Sequence, residues 1–181
     1  MIATIHSVKL VGTRAVNVSV ECEVRDSGIG IHLVGLADTA VKQSLLRTVT
    51  ALQANGYRIP GKKVVVNLTP TDLCKNGSGY DLPIALALIA ASGQRSLPFA
   101  DGFIIRGELC LDGALRPTGG GVCAALLARE QGKDVILPPP PDDARETAGM
   151  EGVRAFAPRT LRDVIDVLSG DAAPETTASC S

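Results

Sequence analysis

The chain has 181 residues, 45% of them hydrophobic and 20% charged, which excludes a disordered or low-complexity protein and fits one domain with or without a tail. Three Phe, two Tyr and no Trp leave the core to aliphatic residues, and argue against recognition by aromatic stacking, as on an RNA-binding sheet. The net charge of −1 averages a gradient: Lys42–Lys75 holds six cations and one acid, a net +5, whereas the chain from Asp142 holds eight acids and four arginines, a net −4.

Ile2–Val11 and Ala15–Arg25 read as two strands joined at Gly12-Thr13. In the second, Val16, Val18, Val20, Cys22 and Val24 alternate with polar residues, the period of a strand with one buried face. After a turn at Ser27–Gly30, Ile31–Leu36 is a third strand, and three strands in succession predict an antiparallel meander. Asp38 is placed as the cap of a helix reaching Asn55, with Val41, Leu45, Val49 and Leu52 as its apolar stripe and Gly56 as its left-handed stop.

Lys63–Leu68 reads as a buried strand and Thr69–Gly79 as a loop. Asp81 is placed as the N-cap of a second helix, with Pro83 tolerated in its first turn; Ile84–Ala91 is apolar all round, so this helix belongs at the centre. Phe103–Leu111 with a turn at Asp112-Gly113 reads as a hairpin-like unit, and Gly119-Gly120-Gly121 opens a helix over Val122–Gln131. Val135–Leu137 is a strand halted by Pro138–Pro141, Asp142–Ala148 a short helix, Val153–Phe156 the last strand, and Thr160–Leu168 the last helix, capped by Thr160. Residues 1–168 form the domain, and 169–181 a small, acidic, disordered tail. Strands first, then helices alternating with strands, give an α+β (mixed α/β) fold.

Met1 is followed by a β pattern instead of a basic and then apolar leader, and the longest apolar run, near Leu82–Ala91, is far short of a membrane span. The expectation is a cytoplasmic protein with no membrane partner. Five cysteines, at 22, 74, 110, 123 and 180, show no CxxC or Cys/His spacing and read as reduced thiols with no metal.

Gly56-Tyr-Arg-Ile-Pro-Gly61-Lys62 matches the start of a phosphate-binding loop, but Lys63 stands where Ser or Thr must hold Mg²⁺. A helix precedes it and a strand follows, the reverse of what places a helix N-terminus at the phosphates, so no nucleotide site is assigned. His6 and His32 lie in strands with no nucleophile at an instructive spacing, and turn chemistry accounts for Asp72, Asp81 and Asp112. Lys42, Arg47, Arg58, Lys62, Lys63 and Lys75 lie on a helix, its connector and the loop after the next strand, where they could share one phosphate-contacting surface.

From Val34 onward a series of motifs carries a resemblance. Val34-Gly-Leu-Ala-Asp-Thr-Ala-Val-Lys42, Asn55-Gly-Tyr-Arg-Ile-Pro-Gly-Lys62 and Val65-Val-Asn67-Leu-Thr-Pro70-Thr-Asp72 come first. Lys75-Asn-Gly77, Tyr80-Asp81-Leu-Pro83-Ile-Ala85 and Gly107-Glu108-Leu-Cys-Leu-Asp-Gly113 follow. Together they resemble, over about residues 1–168, the N-terminal domain of the Mg-chelatase-like ATPases, the YifB/ComM competence-protein family. The resemblance implies a Lon-protease-like fold, placed in the family before an AAA+ ATPase domain. It also implies a role in a hexameric DNA helicase that drives branch migration during natural transformation. ATP and Mg would belong to that ATPase domain, which these residues lack, since no usable Walker A, Walker B or arginine finger is present. The implied role is therefore a non-catalytic module for assembly and DNA contact, with an AAA+ domain in cis or in trans, and a homo-oligomer, as partners. Lon-type peptidases use a Ser–Lys dyad; here the matching positions hold Gly79 and Val122, and Ser78 is one residue out of register. A residual serine hydrolase at Ser78, or a purely partner-docking domain, are the alternative readings.

Overall fold

The computed structural model describes residues 2–11, 13–69, 78–116, 121–138 and 151–171. Its first half is built on a four-stranded sheet of β1 (Ile2–Val11), β2 (Arg14–Arg25), β3 (Gly30–Val34) and β4 (Lys63–Thr69), in the order β1-β2-β4-β3. β1 and β2 pair antiparallel with Ile5 opposite Val20, and β2 pairs antiparallel with β4, Val20 opposite Leu68. Alternate residues therefore share a face: Ile5, Val18, Val20, Cys22, Val64, Val66 and Leu68 are buried, while Glu21 is exposed.

The expected meander is corrected here. β3 does not pair with β2; it lies parallel to β4 at the far edge, His32 opposite Val65. A parallel neighbour needs a crossover, and α1 (Asp38–Ala54) supplies it. Three strands in succession look the same along the sequence whether the third folds back or crosses over.

α1 also departs from its predicted cap and face. Its N-cap is Ala37, without a side-chain cap bond, and Asp38 stands in the first turn, where its charge complements the helix dipole. The buried residues are Ser44, Thr48, Ala51 and Leu52, so the expected stripe of Val41, Leu45 and Val49 sits on the flank, half-buried. Small residues on the inner face let α1 approach α2 (Asp81–Ala91) closely. Gly56 (φ +85°) ends α1 in the left-handed conformation as expected.

α2 is the centre of the molecule: ten of its residues, Asp81–Ile89 and Ala91, are buried, and it packs on β1, β2 and α1. The predicted unit after it divides. β5 (Phe103–Ile105) joins a parallel sheet with β8 (Asp134–Ile136) and β9 (Ala155–Phe156), in the order β5-β8-β9. β6 (Glu108–Leu109) and β7 (Leu115–Arg116) form a separate hairpin whose turn is held by Asp112, its Oδ1 accepting from Ala114 N at 2.9 Å. α3 (Gly121–Glu130) crosses from that hairpin to β8. Ala124, Ala125 and Ala128 on α3 join Val8, Ile104 and Val135 in a second core cluster beside the main one.

α4 (Leu161–Ser169) starts as predicted, Thr160 Oγ1 accepting from Asp163 N at 3.2 Å, and buries Leu161, Val164, Ile165 and Leu168. The whole is α+β. The expected helix over 142–148 lies outside the described residues, as does most of the expected tail 169–181; its first three residues are ordered, since Ser169 ends α4, Gly170 (φ +88°) is the left-handed C-cap and Asp171 pairs with Arg95.

Candidate functional site

The most unusual chemistry is at the start of α2. Asp81 is fully buried and does not cap the helix, since the N-cap is Tyr80. Its carboxylate instead accepts four hydrogen bonds. Ser44 Oγ donates to Oδ1 at 2.6 Å; Arg47 donates from Nε to Oδ2 at 2.6 Å and from Nη2 to Oδ1 at 3.2 Å. Leu109 N donates to Oδ2 at 3.2 Å. One carboxylate thus ties α1, α2 and the β6–β7 hairpin together. Ser44 and Arg47 reach it because residues three apart lie on one helix face.

Burial pushes the Asp81 carboxyl above the usual carboxylate range, against the pull of Arg47, Ser44 and the Leu109 N–H. The Asp81 bond in turn raises the Arg47 guanidinium, and the bidentate contact is a charge-assisted one. Every acceptor direction of the carboxylate is taken, so the group is a structural clamp. Turn chemistry, the sequence expectation for Asp81, is corrected by this geometry. The sequence did carry a signal: an acid heading an otherwise unbroken apolar run, and Ser44, Arg47 and Thr48 forming a polar stripe on a helix that needs a partner.

The five basic positions among the described residues do not form one cluster. Arg47 is committed to Asp81, with its side chain 22% exposed. Lys42 is exposed in the first turns of α1, about 18 Å along the helix from its end at Ala54. Arg58 and Lys62 sit exposed at the opposite end, on the connector into β4, and Lys63, half-buried, is the first residue of β4. There Gln94 braces the Arg58 backbone, accepting from its N–H at 2.8 Å and donating to its carbonyl at 2.7 Å. Lys62 Nζ pairs with Asp26 at 2.8 Å. That pair lines a shallow cleft with Val24, Pro60, Ala91 and Ser92. Lys75 lies outside the described residues.

Other titratable groups are quieter. His6 Nε2 lies 3.5 Å from Asp101 Oδ1, and burial, with Lys133 nearby, lowers its pKa. Burial pushes the Cys22 thiol up to about 12. Arg116 Nε donates to Cys110 Sγ at 3.1 Å. The P-loop-like Gly56–Lys62 does join a helix to a strand, the wrong order for phosphate binding. Ser78 lies in a short 3-10 turn before α2, and Val122, where a dyad lysine would stand, is half-buried in α3.

The family model described as subunit ChlI of Mg-chelatase matches residues 20–140. Among similar proteins, YifB of Salmonella typhimurium is 34% identical over 96% of this chain and 34% of its own length. YifB of Escherichia coli is 38% identical over 75% of this chain and 27% of its own. The competence protein ComM of Haemophilus influenzae is 32% identical over 93% of this chain and 33% of its own. The chain thus spans about a third of the curated relatives it matches. With well over half of its residues inside the family model, and with the quoted motifs in order, the chain belongs to the Mg-chelatase ChlI family, alongside YifB and ComM.

Proposed function

We propose that the chain acts as the N-terminal module of a Mg-chelatase-like AAA+ protein of the ComM type, serving assembly and DNA contact and carrying no catalysis of its own. The observation that carries this reading is the match to ComM over nearly the whole of this chain and only a third of that competence protein. ATP and Mg²⁺ belong, in this reading, to the remaining part. The mixed sheet with a central apolar helix supports the Lon-protease-like version of the α+β fold. Asp81 supports a non-catalytic role, because its four hydrogen bonds leave it no free lone pair facing a substrate. Among the described residues no helix is long and apolar enough to cross a membrane, which accords with a cytoplasmic DNA-handling protein.

The DNA-contacting end is Arg58 and Lys62 on the α1–β4 connector with Lys63 at the start of β4; Lys42 lies too far along α1 to join them. Such cations bind phosphate without reading sequence. Fluorescence anisotropy with short single- and double-stranded DNA at low salt tests this. Binding should be lost in the Lys62→Glu, Lys63→Glu double variant, and binding that survives the charge reversal refutes the contact.

A further inference from the structure

The turn between β2 and β3, residues 26–29, crosses the basic end of the α1–β4 connector. In the sheet order β1-β2-β4-β3, β4 lies between the two strands that this turn joins, so the turn has to pass over the start of β4. The register fixes the place: Lys63 stands between Arg25, the last residue of β2, and Gly30, the first of β3. Gly28 (φ +117°) and Gly30 (φ +94°) take the positive φ that so short a crossing requires. A Cβ at Gly28 would stand 3.4 Å from Lys63 Cβ and 3.5 Å from its Cδ, so the turn runs along the Lys63 stem. Asp26, at the head of the turn, meets Lys62 Nζ through Oδ1 at 2.8 Å.

The Asp26–Lys62 pair adds little to the fold. The two side chains are 90% and 56% exposed, and exposed ion pairs stabilise only weakly. Its effect is on the surface charge. The Lys62 bond holds the Asp26 carboxyl below the usual carboxylate range. A carboxylate oxygen 2.8 Å from an ammonium occupies the position that a phosphate oxygen would take. Among the described residues Arg58 and Lys63 make no ion pair, so they can meet phosphates directly, whereas Lys62 cannot until Asp26 leaves. Arg25, across the strand pair from Lys63, is held in the same way by Glu23 at 2.9 Å.

We propose that Asp26 is a built-in competitor for phosphate: its carboxylate occupies Lys62 in the free chain and is displaced by the DNA backbone on binding. The inference rests on the DNA-contact reading above and adds the device that restrains that contact. The exchange is favourable only for a strand already held at Arg58 and Lys63, because the phosphate at Lys62 is then tethered, as Asp26 is by its own turn. The β2–β3 turn thus lowers the affinity of this end and makes Lys62 the last of the three cations to engage.

The test is fluorescence anisotropy with short single- and double-stranded DNA at about 25 mM salt. It compares the parent, Asp26→Asn, Lys62→Gln and the double variant, all changed at exposed side chains and checked for fold by circular dichroism. In the Lys62→Gln background, Asp26→Asn measures only the removal of a negative charge. In the parent it should gain about fivefold more than that, the worth of an exposed ion pair that no longer has to be broken. Carbon-13 NMR of the Asp26 carboxyl reads the displacement itself: its titration should move upward in the DNA complex, where Lys62 has left it. Binding by Asp26→Asn where the parent fails to bind would support the proposal most strongly. Equal gains in both backgrounds, no gain in either, or an Asp26 titration that DNA leaves unmoved overturns the competitor while leaving the DNA contact intact. Absence of binding by all four proteins overturns the DNA contact and the competitor together.

Discussion

Replacing Asp81 by alanine removes the acceptor of four hydrogen bonds at a fully buried point. What remains is a buried Leu109 N–H, a buried Ser44 hydroxyl and the Arg47 cation. Breaking one side of a buried ion pair costs about 3–5 kcal/mol. Arg47 is 22% exposed and has Glu108 in its field, so it regains some solvation, and the lower figure, about 3 kcal/mol, applies. With a urea slope of about 2 kcal/mol/M, the midpoint should fall by about 1.5 M. Asp81→Asn keeps the shape and one acceptor and should lose about 2 kcal/mol. The double variant Arg47→Leu, Asp81→Leu removes both charges and should recover most of the alanine loss, since well-packed apolar pairs replace buried ion pairs at little cost. An alanine variant within about 1 kcal/mol of the parent would refute the clamp. So would a leucine pair as damaged as the single alanine.

Three further outcomes follow from the same geometry. Gly35 has φ +107°, and a Cβ there would stand 2.5 Å from the Leu68 carbonyl oxygen, so Gly35→Ala should cost about 3 kcal/mol and lower Tm by about 6–12 °C. Gly56→Ala, with φ +85° and nothing within 4 Å, should cost only about 1 kcal/mol in the same melt; equal losses would show that the contact is irrelevant. His6 has a lowered pKa in the fold, so its neutral form contributes stability above the unfolded value near 6.5, and this is lost as pH falls through the folded value. Chemical denaturation between pH 7.5 and pH 5 should therefore be flatter for His6→Asn than for the parent, and identical slopes would contradict the assignment. Cys22, its thiol held near 12 by burial, should resist iodoacetamide at about pH 8 until the chain unfolds, while half-buried Cys110 and Cys123 label first; peptide mass mapping reads the order.

Much of the fold was legible because local patterns and tertiary contacts agree. The alternation of Val16–Val24 announced β2, and the unbroken run Ile84–Ala91 announced the central helix. Thr160 and Gly56 mark a helix start and a helix stop through backbone chemistry that acts within a few residues. What failed was long-range. Nothing within Gly30–Val34 says whether its partner is β2 or β4, because side-chain alternation is the same in both. The stripe of α1 was misplaced because its strongest partner is the Asp81 carboxylate and small residues of α2, so polar Ser44 and Thr48 went inside in place of Val41 and Leu45. Along the sequence Asp81 looks like a cap, because a carboxylate before an apolar helix is usually one; only the approach of α1 and β6 reveals the clamp. Six cations close along the chain suggest one surface, yet α1 separates Lys42 from Lys63 and Asp81 takes Arg47.

The central claim, a non-catalytic module that touches DNA through the α1–β4 connector, is tested most directly by the salt dependence of DNA affinity. Three phosphate contacts, from Arg58, Lys62 and Lys63, predict a slope of log K against log salt near −2.7 on duplex DNA. Reversal of Lys62 and Lys63 should abolish binding. No binding at about 25 mM salt, or a slope the reversal leaves unchanged, would contradict the account.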